Sequence, residues 1–262
     1  MNILITGACG GMGKATTGLL KEKGHNVFAI ARKIPDRVEG VNYFEADVTK
    51  QDELFGVFEA IKEKTDILDA ILNFAGIYNL DSLIEINEED FVKIFNINLF
   101  GVYRVNKIFA PLLKKNGKVV ITSSELAPLY PLPFTGLYAI TKAALEKYAD
   151  SLRMELNLLD IRVSVIRPGA VKTDLLDVST AALDRFCENT ALYKCNAERF
   201  KKIVDNVESK KIETYRIAKI ALKIVNSKKP KYVYNINRNV MLKLLNILPK
   251  RWQVAIIKRI IK

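Results

Sequence analysis

Apolar and polar positions along the chain follow two alternating rhythms. Short, nearly continuous apolar runs occur at residues 2–6, Val27-Phe28-Ala29-Ile30, Val41-Asn42-Tyr43-Phe44, Ile67 to Leu72, Lys118-Val119-Val120-Ile121-Thr122 and Arg162-Val163-Ser164-Val165-Ile166. Runs of this kind predict strands buried on both faces. Between them apolar residues recur at helical spacing. Leu19 and Leu20 mark a helix ending at Gly24, and Leu54, Phe55, Phe58 and Ile61 mark another. A long helical stretch runs from about Glu88 to Lys115, and a further helix carries Tyr138 and Lys142 between the fifth and sixth strands. Residues 174–212 are helical in pattern but less apolar, and Tyr232-Val233-Tyr234 predicts a last edge strand. Strands alternating with helices predict an α/β fold, a doubly wound parallel sheet covered on both faces. No repeat or linker divides the chain. It reads as a single domain over 1–240, including helices at about 174–212, with a helical extension at 241–262.

Charge changes that picture only at one end. The formal net charge is +12, yet residues 226–262 hold ten Lys or Arg and no Asp or Glu, so the other 225 residues carry only +2. A near-neutral body argues against a nucleic-acid partner, which would require a basic face or groove on the domain itself. The hydrophobic content of 49% and charged content of 27% fit a soluble globular protein. No run approaches the roughly 20 apolar residues of a membrane span, and the first strand begins at the initial Met, where a secretory signal would otherwise stand. Cys9, Cys187, Cys195 and the single His25 show no metal-ligand spacing and no disulfide framework. No metal site and a cytoplasmic setting are expected.

The candidate chemistry starts at Gly7-Ala8-Cys9-Gly10-Gly11-Met12-Gly13, between the first strand and the first helix. A strand, glycine turn and helix N-terminus present backbone N–H groups to a pyrophosphate, as in a Rossmann-like fold. Further along, Tyr138 and Lys142 stand at i and i+4 on one helix face. An ammonium one turn away would favour the phenolate and lower the tyrosine pKa towards the working range. Taken singly, other residues have ordinary readings. Asn73 could cap a strand end, Asn98 could be a buried amide, Asp47 could cap the next helix, and Ser123 and Ser124 could be polar strand-end residues.

The spacing Thr6-Gly7-x-x-x-Gly11-Met12-Gly13 resembles the cofactor turn of the short-chain dehydrogenase/reductase family. The resemblance continues through Asp47-Val48, Asn73-Phe74-Ala75-Gly76 (Phe74 replacing a second Asn), Asn98, Ser123-Ser124, Tyr138-x-x-x-Lys142 and Arg167-Pro168-Gly169-Ala170-Val171-Lys172-Thr173. It covers roughly residues 1–240. It implies an oxidoreductase moving hydride between a nicotinamide and a carbonyl or alcohol carbon, with homo-oligomers expected. It also implies a catalytic set of Asn98, Ser124, Tyr138 and Lys142. Tyr138 would exchange the proton, Lys142 would lower its pKa and hold the nicotinamide ribose, Ser124 would hold the substrate oxygen, and Asn98 would position a water behind Lys142. Ser123 is the second choice for the serine, because Ser124 to Tyr138 is fourteen residues where the family usually has thirteen. Glu125 stands at the expected spacing, but its carboxylate would repel a developing alkoxide. The implied cofactor residues are Gly7, Cys9, Gly11, Met12, Gly13, Asp47, Val48, Asn73, Ala75, Gly76, Tyr138, Lys142, Val171 and Thr173.

After Ile30 come Ala31-Arg32-Lys33, with no acid at the strand end to accept from the ribose of NAD. Arg32 can clamp a 2′-phosphate, so NADP(H) is expected over NAD(H). Leu126, Leu129, Tyr130, Leu132, Phe134, Leu175, Leu176, Leu183 and Phe186 are either core or the wall of an apolar pocket. As a wall they point to a hydrophobic ketone, aldehyde or alcohol such as a lipid, steroid or retinoid. In the tail, Trp252, Ile256, Ile257, Ile260 and Ile261 share one helix side, flanked by Lys258, Arg259 and Lys262. Three readings stay open for it: peripheral contact with an anionic membrane, packing on its own domain or a second subunit, and docking of an acidic acyl carrier in a 3-oxoacyl thioester reductase. An NADP(H)-sensing regulatory protein is the non-enzymatic alternative.

Overall fold

The computed structural model describes residues 1–208 and 211–262; within residues 174–180 and 205–208 only the backbone is considered. Strand β1 (Asn2–Thr6) leads into helix α1 (Gly11–Glu22), followed by β2 (Asn26–Ala31), β3 (Asn42–Glu45), α2 (Gln51–Lys62) and β4 (Leu68–Asn73). Next come α3 (Glu88–Phe95), a π-helical turn (Asn96–Gly101), α4 (Val102–Phe109) and β5 (Leu113–Thr122). The second half holds α5 (Gly136–Asn157), β6 (Arg162–Pro168), α6 (Asp174–Asn189), α7 (Lys194–Glu208), α8 (Thr214–Asn226), β7 (Val233–Ile236), α9 (Val240–Ile247) and α10 (Lys250–Ile261).

The strands form one parallel seven-stranded sheet in the order β3-β2-β1-β4-β5-β6-β7. The period-2 alternation of strand side chains divides the core between the two faces. Ile3, Ile5, Val27, Ala29, Ala70 and Leu72 pack on Leu20 of α1 and on Ile217, Ala221 and Ile224 of α8. Leu4, Phe28, Ile30 and Ile71 pack on Leu54, Val57 and Ile61 of α2 and on Val105, Ile108 and Phe109 of α4. Val119, Ile121, Val163 and Val165 pack on Leu145 and Ala149 of α5. Both faces are covered, which is why the strands read as unbroken apolar runs.

Strand order reverses between β1 and β4, so a crevice opens there at the carboxyl ends of the strands. Two departures from the sequence reading bear on that crevice. The helix expected from Glu88 to about Lys115 is interrupted by the π turn and gives way to β5 at Leu113, just past Pro111, which cannot sit inside an α-helix. In the π turn, Gly101 packs so close to Val48 that an added Cβ would lie 2.7 Å from Val48 Cγ2.

The C-terminal helices cover one end of the domain. Ile261 and Ile257 of α10 join Leu183, Phe186, Ala197 and Phe200 in a satellite core beneath α6 and α7. Helix α9 has no buried residue. It is tied down by Asn246, whose Oδ1 accepts from the Tyr130 backbone N–H at 2.6 Å.

Candidate active site

At the end of β1 the chain turns through Gly7 at φ +65°, where a Cβ would sit 2.7 Å from the Ala75 nitrogen. A Cβ on Gly13 would lie 2.1 Å from the Gly7 oxygen. Helix α1 starts from Gly10 with no side-chain cap and no acid in its first turn. Its positive end and unpaired N–H groups therefore face the crevice. A groove holding about 1260 Å³ of empty space runs from Gly7, Cys9 and Gly10 past Ala31, Arg32 and Lys33 to Asp47, Val48, Ala75, Gly76 and Ile77. Backbone donors at a glycine cradle, an exposed arginine and apolar walls suit a dinucleotide with an anionic centre. Asp36, close in sequence to Arg32, is paired with Lys14 of α1 at 2.9 Å.

Most residues expected to hold a cofactor line this groove or the cleft that joins it. Met12, Gly76, Tyr138, Lys142, Val171 and Thr173 belong to the second cleft. Gly11 backs Thr173, whose Cγ2 a Cβ would meet at 2.6 Å. Gly13 is likewise in neither lining, and neither is Asn73. Its side chain is buried away from the groove and donates to Asn106 Oδ1 at 3.0 Å and to the Val120 carbonyl at 3.3 Å. Here it binds α4 to the sheet, and its own Oδ1 is a buried atom without a partner.

The second cleft, about 1090 Å³ of empty space, continues from the groove towards α7 and α9. Tyr138 and Lys142 are buried on the same face of α5. Lys142 Nζ donates to the Thr122 carbonyl at 3.0 Å and lies 5.5 Å from the centre of the Tyr138 ring. Burial pulls the Lys142 ammonium down to about 8. Burial pushes the Tyr138 phenol up to about 12, and a hydrogen bond with Ser124 offsets part of that rise. The expected lowering of the phenol by Lys142 is thus absent here: the ammonium is turned to a carbonyl, and desolvation governs both groups. Asn98 stands in the π turn and is fully buried. Its Oδ1 accepts from the Ile77 N–H at 2.8 Å, and its Nδ2 donates to the Ile77 carbonyl at 2.9 Å and to Thr141 Oγ1 at 3.2 Å.

Geometry separates the two serines. Ser123 Oγ donates to Glu146 Oε1 at 2.8 Å, and Glu146 is also held by Arg167 through both carboxylate oxygens. That cluster locks β5, α5 and β6 together. Ser124 turns the other way, towards the Tyr138 hydroxyl, and accepts from the Leu126 N–H at 3.2 Å. Ser124, Tyr138 and Lys142 thus share one cleft wall, while Ser123 is part of the scaffold.

Residues 1–184 match the family profile described as short chain dehydrogenase. The chain belongs to the short-chain dehydrogenase family. It is 27% identical to the "Probable short-chain type dehydrogenase/reductase VdlC" of Helicobacter pylori, covering 98% of this chain and 97% of that one. It is 29% identical to a 3-ketodihydrosphingosine reductase of Bacteroides thetaiotaomicron, over 88% and 85% of the two chains. It is 33% identical to the 3-oxoacyl-[acyl-carrier-protein] reductase FabG of Thermotoga maritima, over 76% and 84%. A solved structure of a short chain dehydrogenase family protein from Francisella tularensis superposes with a TM-score of 0.74 at 25% identity, covering 90% of this chain and 95% of that one. The protein is therefore an oxidoreductase acting on the CH–OH group of donors with NAD(P) as acceptor.

Within this short-chain dehydrogenase the expected apolar wall is only partly correct. Leu126 and Leu132 line the cleft. Leu183 and Phe186 instead form core with Phe134, whose ring packs on Phe186, Tyr193 and Phe200. Leu129 is not among the lining residues, and Tyr130 lies at the surface under Lys250. The side chains of Leu175 and Leu176 fall outside the described residues. Sequence reasoning missed Tyr78, which meets the Tyr138 ring edge-on at 4.5 Å, and Phe200, Ile203, Val204 and Leu242, which line the cleft from α7 and α9. No local motif marks them, because they arrive from elements distant in sequence.

The Lys142 shift has a measurable consequence in the cofactor-free protein. With its folded pKa below its unfolded value, the unfolded chain binds more protons between about pH 8 and 10.5, so stability rises with pH through that window. Below pH 8 the buried charge is a net cost. Lys142→Met should therefore stabilise the cofactor-free protein at pH 7, by up to about 3 kcal/mol, with the gain shrinking by pH 9.5. Urea midpoints at the two pH values check this, and a variant less stable at both would contradict it.

Proposed function

We propose that the protein is an NADP(H)-dependent ketoreductase that interconverts a hydrophobic ketone and its alcohol. The observation that carries this is that Ser124, Tyr138 and Lys142 are buried together where the dinucleotide groove meets an apolar cleft. Two relatives, named as reductases of 3-ketodihydrosphingosine and of 3-oxoacyl-carrier substrates, support a ketone attached to a long apolar chain. The cofactor, when bound, supplies or accepts the hydride.

Gly7, Cys9, Gly11, Met12 and Gly13 would hold the pyrophosphate, Asp47 and Val48 the adenine end, and Lys142, Val171 and Thr173 the nicotinamide end. Tyr138 delivers its phenolic proton to the carbonyl oxygen, and Ser124 donates a hydrogen bond to that oxygen as charge develops on it. Burial holds the Tyr138 phenol in its protonated form, the form that can donate to a carbonyl oxygen. Asn98 acts as a positioning residue. By clamping Ile77 and Thr141 it fixes the loop beside Lys142, and Gly76 lets that loop approach the Asn98 amide, whose Oδ1 a Cβ would meet at 3.2 Å.

The preference for NADP(H) rests on Arg32 and Lys33 lining the adenosine end, with Asp36 drawn off by Lys14. The tail supports peripheral membrane contact. One face of α9 and α10 is exposed through Met241, Leu244, Ile247, Trp252 and Ile260, in a segment without a single acid. An apolar face among cations suits an anionic lipid surface, and Leu242 of the same segment lines the cleft.

Tyr138→Phe should keep NADPH affinity and lose about 10²–10⁴-fold in turnover, read by NADPH oxidation on a panel of long-chain ketones. Wild-type turnover in that variant would refute the assignment. Arg32→Ala should raise KM for NADPH about tenfold or more over NADH; equal effects would remove the NADP(H) preference. The double variant Trp252→Glu, Ile260→Glu should abolish co-sedimentation with anionic vesicles while sparing the packed face of α10. If the wild-type chain does not sediment with such vesicles, the tail has another partner.

A further inference from the structure

Among the described residues, the cleft beyond Tyr138 has two charged groups in its lining, Lys142 and Glu125. Lys142 is already satisfied by the Thr122 carbonyl. Glu125 is not. It is almost wholly buried, next in sequence to Ser124, and its backbone N–H is fixed to the Pro168 carbonyl at 2.9 Å. One carboxylate oxygen, Oε2, accepts from the Asn239 N–H at 2.6 Å. The other, Oε1, lies against Gly169, where a Cβ would come within 2.8 Å of it. No donor reaches Oε1 among the described residues, and no Lys or Arg lies within ion-pair distance of the group. The charge of Arg238 is felt only from farther off, and burial dominates, pushing the Glu125 carboxyl up.

Fastening Asn239 does not require a charge, since a glutamine oxygen would accept the same hydrogen bond without the cost of burying a carboxylate. A carboxylate with a vacant oxygen in an otherwise apolar cleft is suited to a cation brought by the ligand. Ser124 and Glu125 both line this one cleft, so a single substrate can present a carbonyl oxygen to Ser124 and a cation to Glu125. Building on the ketoreductase reading above, we infer that Glu125 is a specificity-determining residue that binds a substrate ammonium one or two carbons from the reacting carbonyl. The substrate class is then a long-chain amino ketone, with its alkyl chain against Leu126, Leu132, Phe200, Ile203 and Val204. Glu125 disfavours a ketone with a phosphate or carboxylate at the same place.

The test compares an alkyl 2-amino-3-ketone with its 2-methyl isostere in NADPH oxidation. Dead-end complexes of the NADPH-loaded enzyme with the corresponding 2-amino and 2-methyl alcohols are measured in parallel. The ammonium-bearing ligand should be preferred by about 10- to 100-fold in Kd, as for other charge-assisted contacts, and by a similar factor in kcat/KM. In E125Q, which keeps an acceptor for Asn239, the preference should collapse towards unity. Equal affinity of the wild-type enzyme for the two alcohols overturns the inference, and that comparison stands whether or not E125Q folds. E125Q weakening both ligands alike also overturns it, leaving Glu125 a structural clamp. Should neither ketone be turned over while the dead-end complexes keep the ammonium preference, the ketoreductase reading fails and the Glu125 assignment is upheld.

Discussion

The site depends on keeping one ammonium out of water. A buried lysine charge is tolerated only where oxygens or aromatic faces replace its hydration. For Lys142 the replacements are the Thr122 carbonyl and the face of the Tyr138 ring one turn away. Each of these is a structural requirement as much as a chemical one. The carbonyl at the end of β5 must point at α5, so strand and helix are fixed relative to each other. Gly76, in the loop after β4, sits tightly against the Asn98 amide, whose Oδ1 an added Cβ would meet at 3.2 Å. Asn98 must hold that loop from the far side, and the π turn aims its side chain at Ile77 and Thr141. Wide turns inside helices recur where a side chain has to be re-aimed, and this one begins two residues before Asn98.

The parts of this arrangement that could be read along the chain are those encoded in short spacings. The glycine turn, the Tyr138–Lys142 pair and the buried parallel strands all satisfy local rules, and the structure keeps them. What could not be read depends on which neighbours burial supplies. Asn73 looks like a cofactor residue by motif, yet its amide is spent on Asn106 and Val120 across the sheet. A lysine at i+4 from a tyrosine suggests a lowered phenol, yet desolvation of both groups outweighs their mutual effect. The aromatic residues near 134 and 186 carry the composition of a pocket wall but form the satellite core behind it, while the wall itself comes from α7 and α9. Linear patterning identifies amphipathic faces. It does not say which face meets a cavity and which meets another helix.

The C-terminal extension illustrates the same limit and partly resolves it. Its apolar residues are not one stripe with one purpose. Ile257 and Ile261 close the satellite core, and Gln253 Nε2 donates to the Leu248 carbonyl at 2.7 Å, holding α10 against the end of α9. Trp252, Ile256 and Ile260 remain exposed on the adjoining side. Packing on its own domain and presenting an outward apolar face are therefore compatible, and they use different residues. Because Leu242 lines the cleft and Asn246 is hydrogen-bonded to the Tyr130 backbone, anything that seats on this extension is adjacent to that cleft.

Three consecutive residues leaving β5 show how finely the chain divides its chemistry. Side chains of an extended segment alternate between its two sides, so neighbours in sequence need not be neighbours in function. Ser123 faces Glu146 and Arg167 and closes a polar cluster that ties β5, α5 and β6. Ser124 faces Tyr138. Glu125 reaches over Gly169 to the segment that begins α9. The loop after Glu125 returns to the cleft at Leu126 and Leu132, while Tyr130 between them is carried out to Asn246. The residues proposed for reaction and for selectivity are therefore adjacent in sequence yet rest on separate supports.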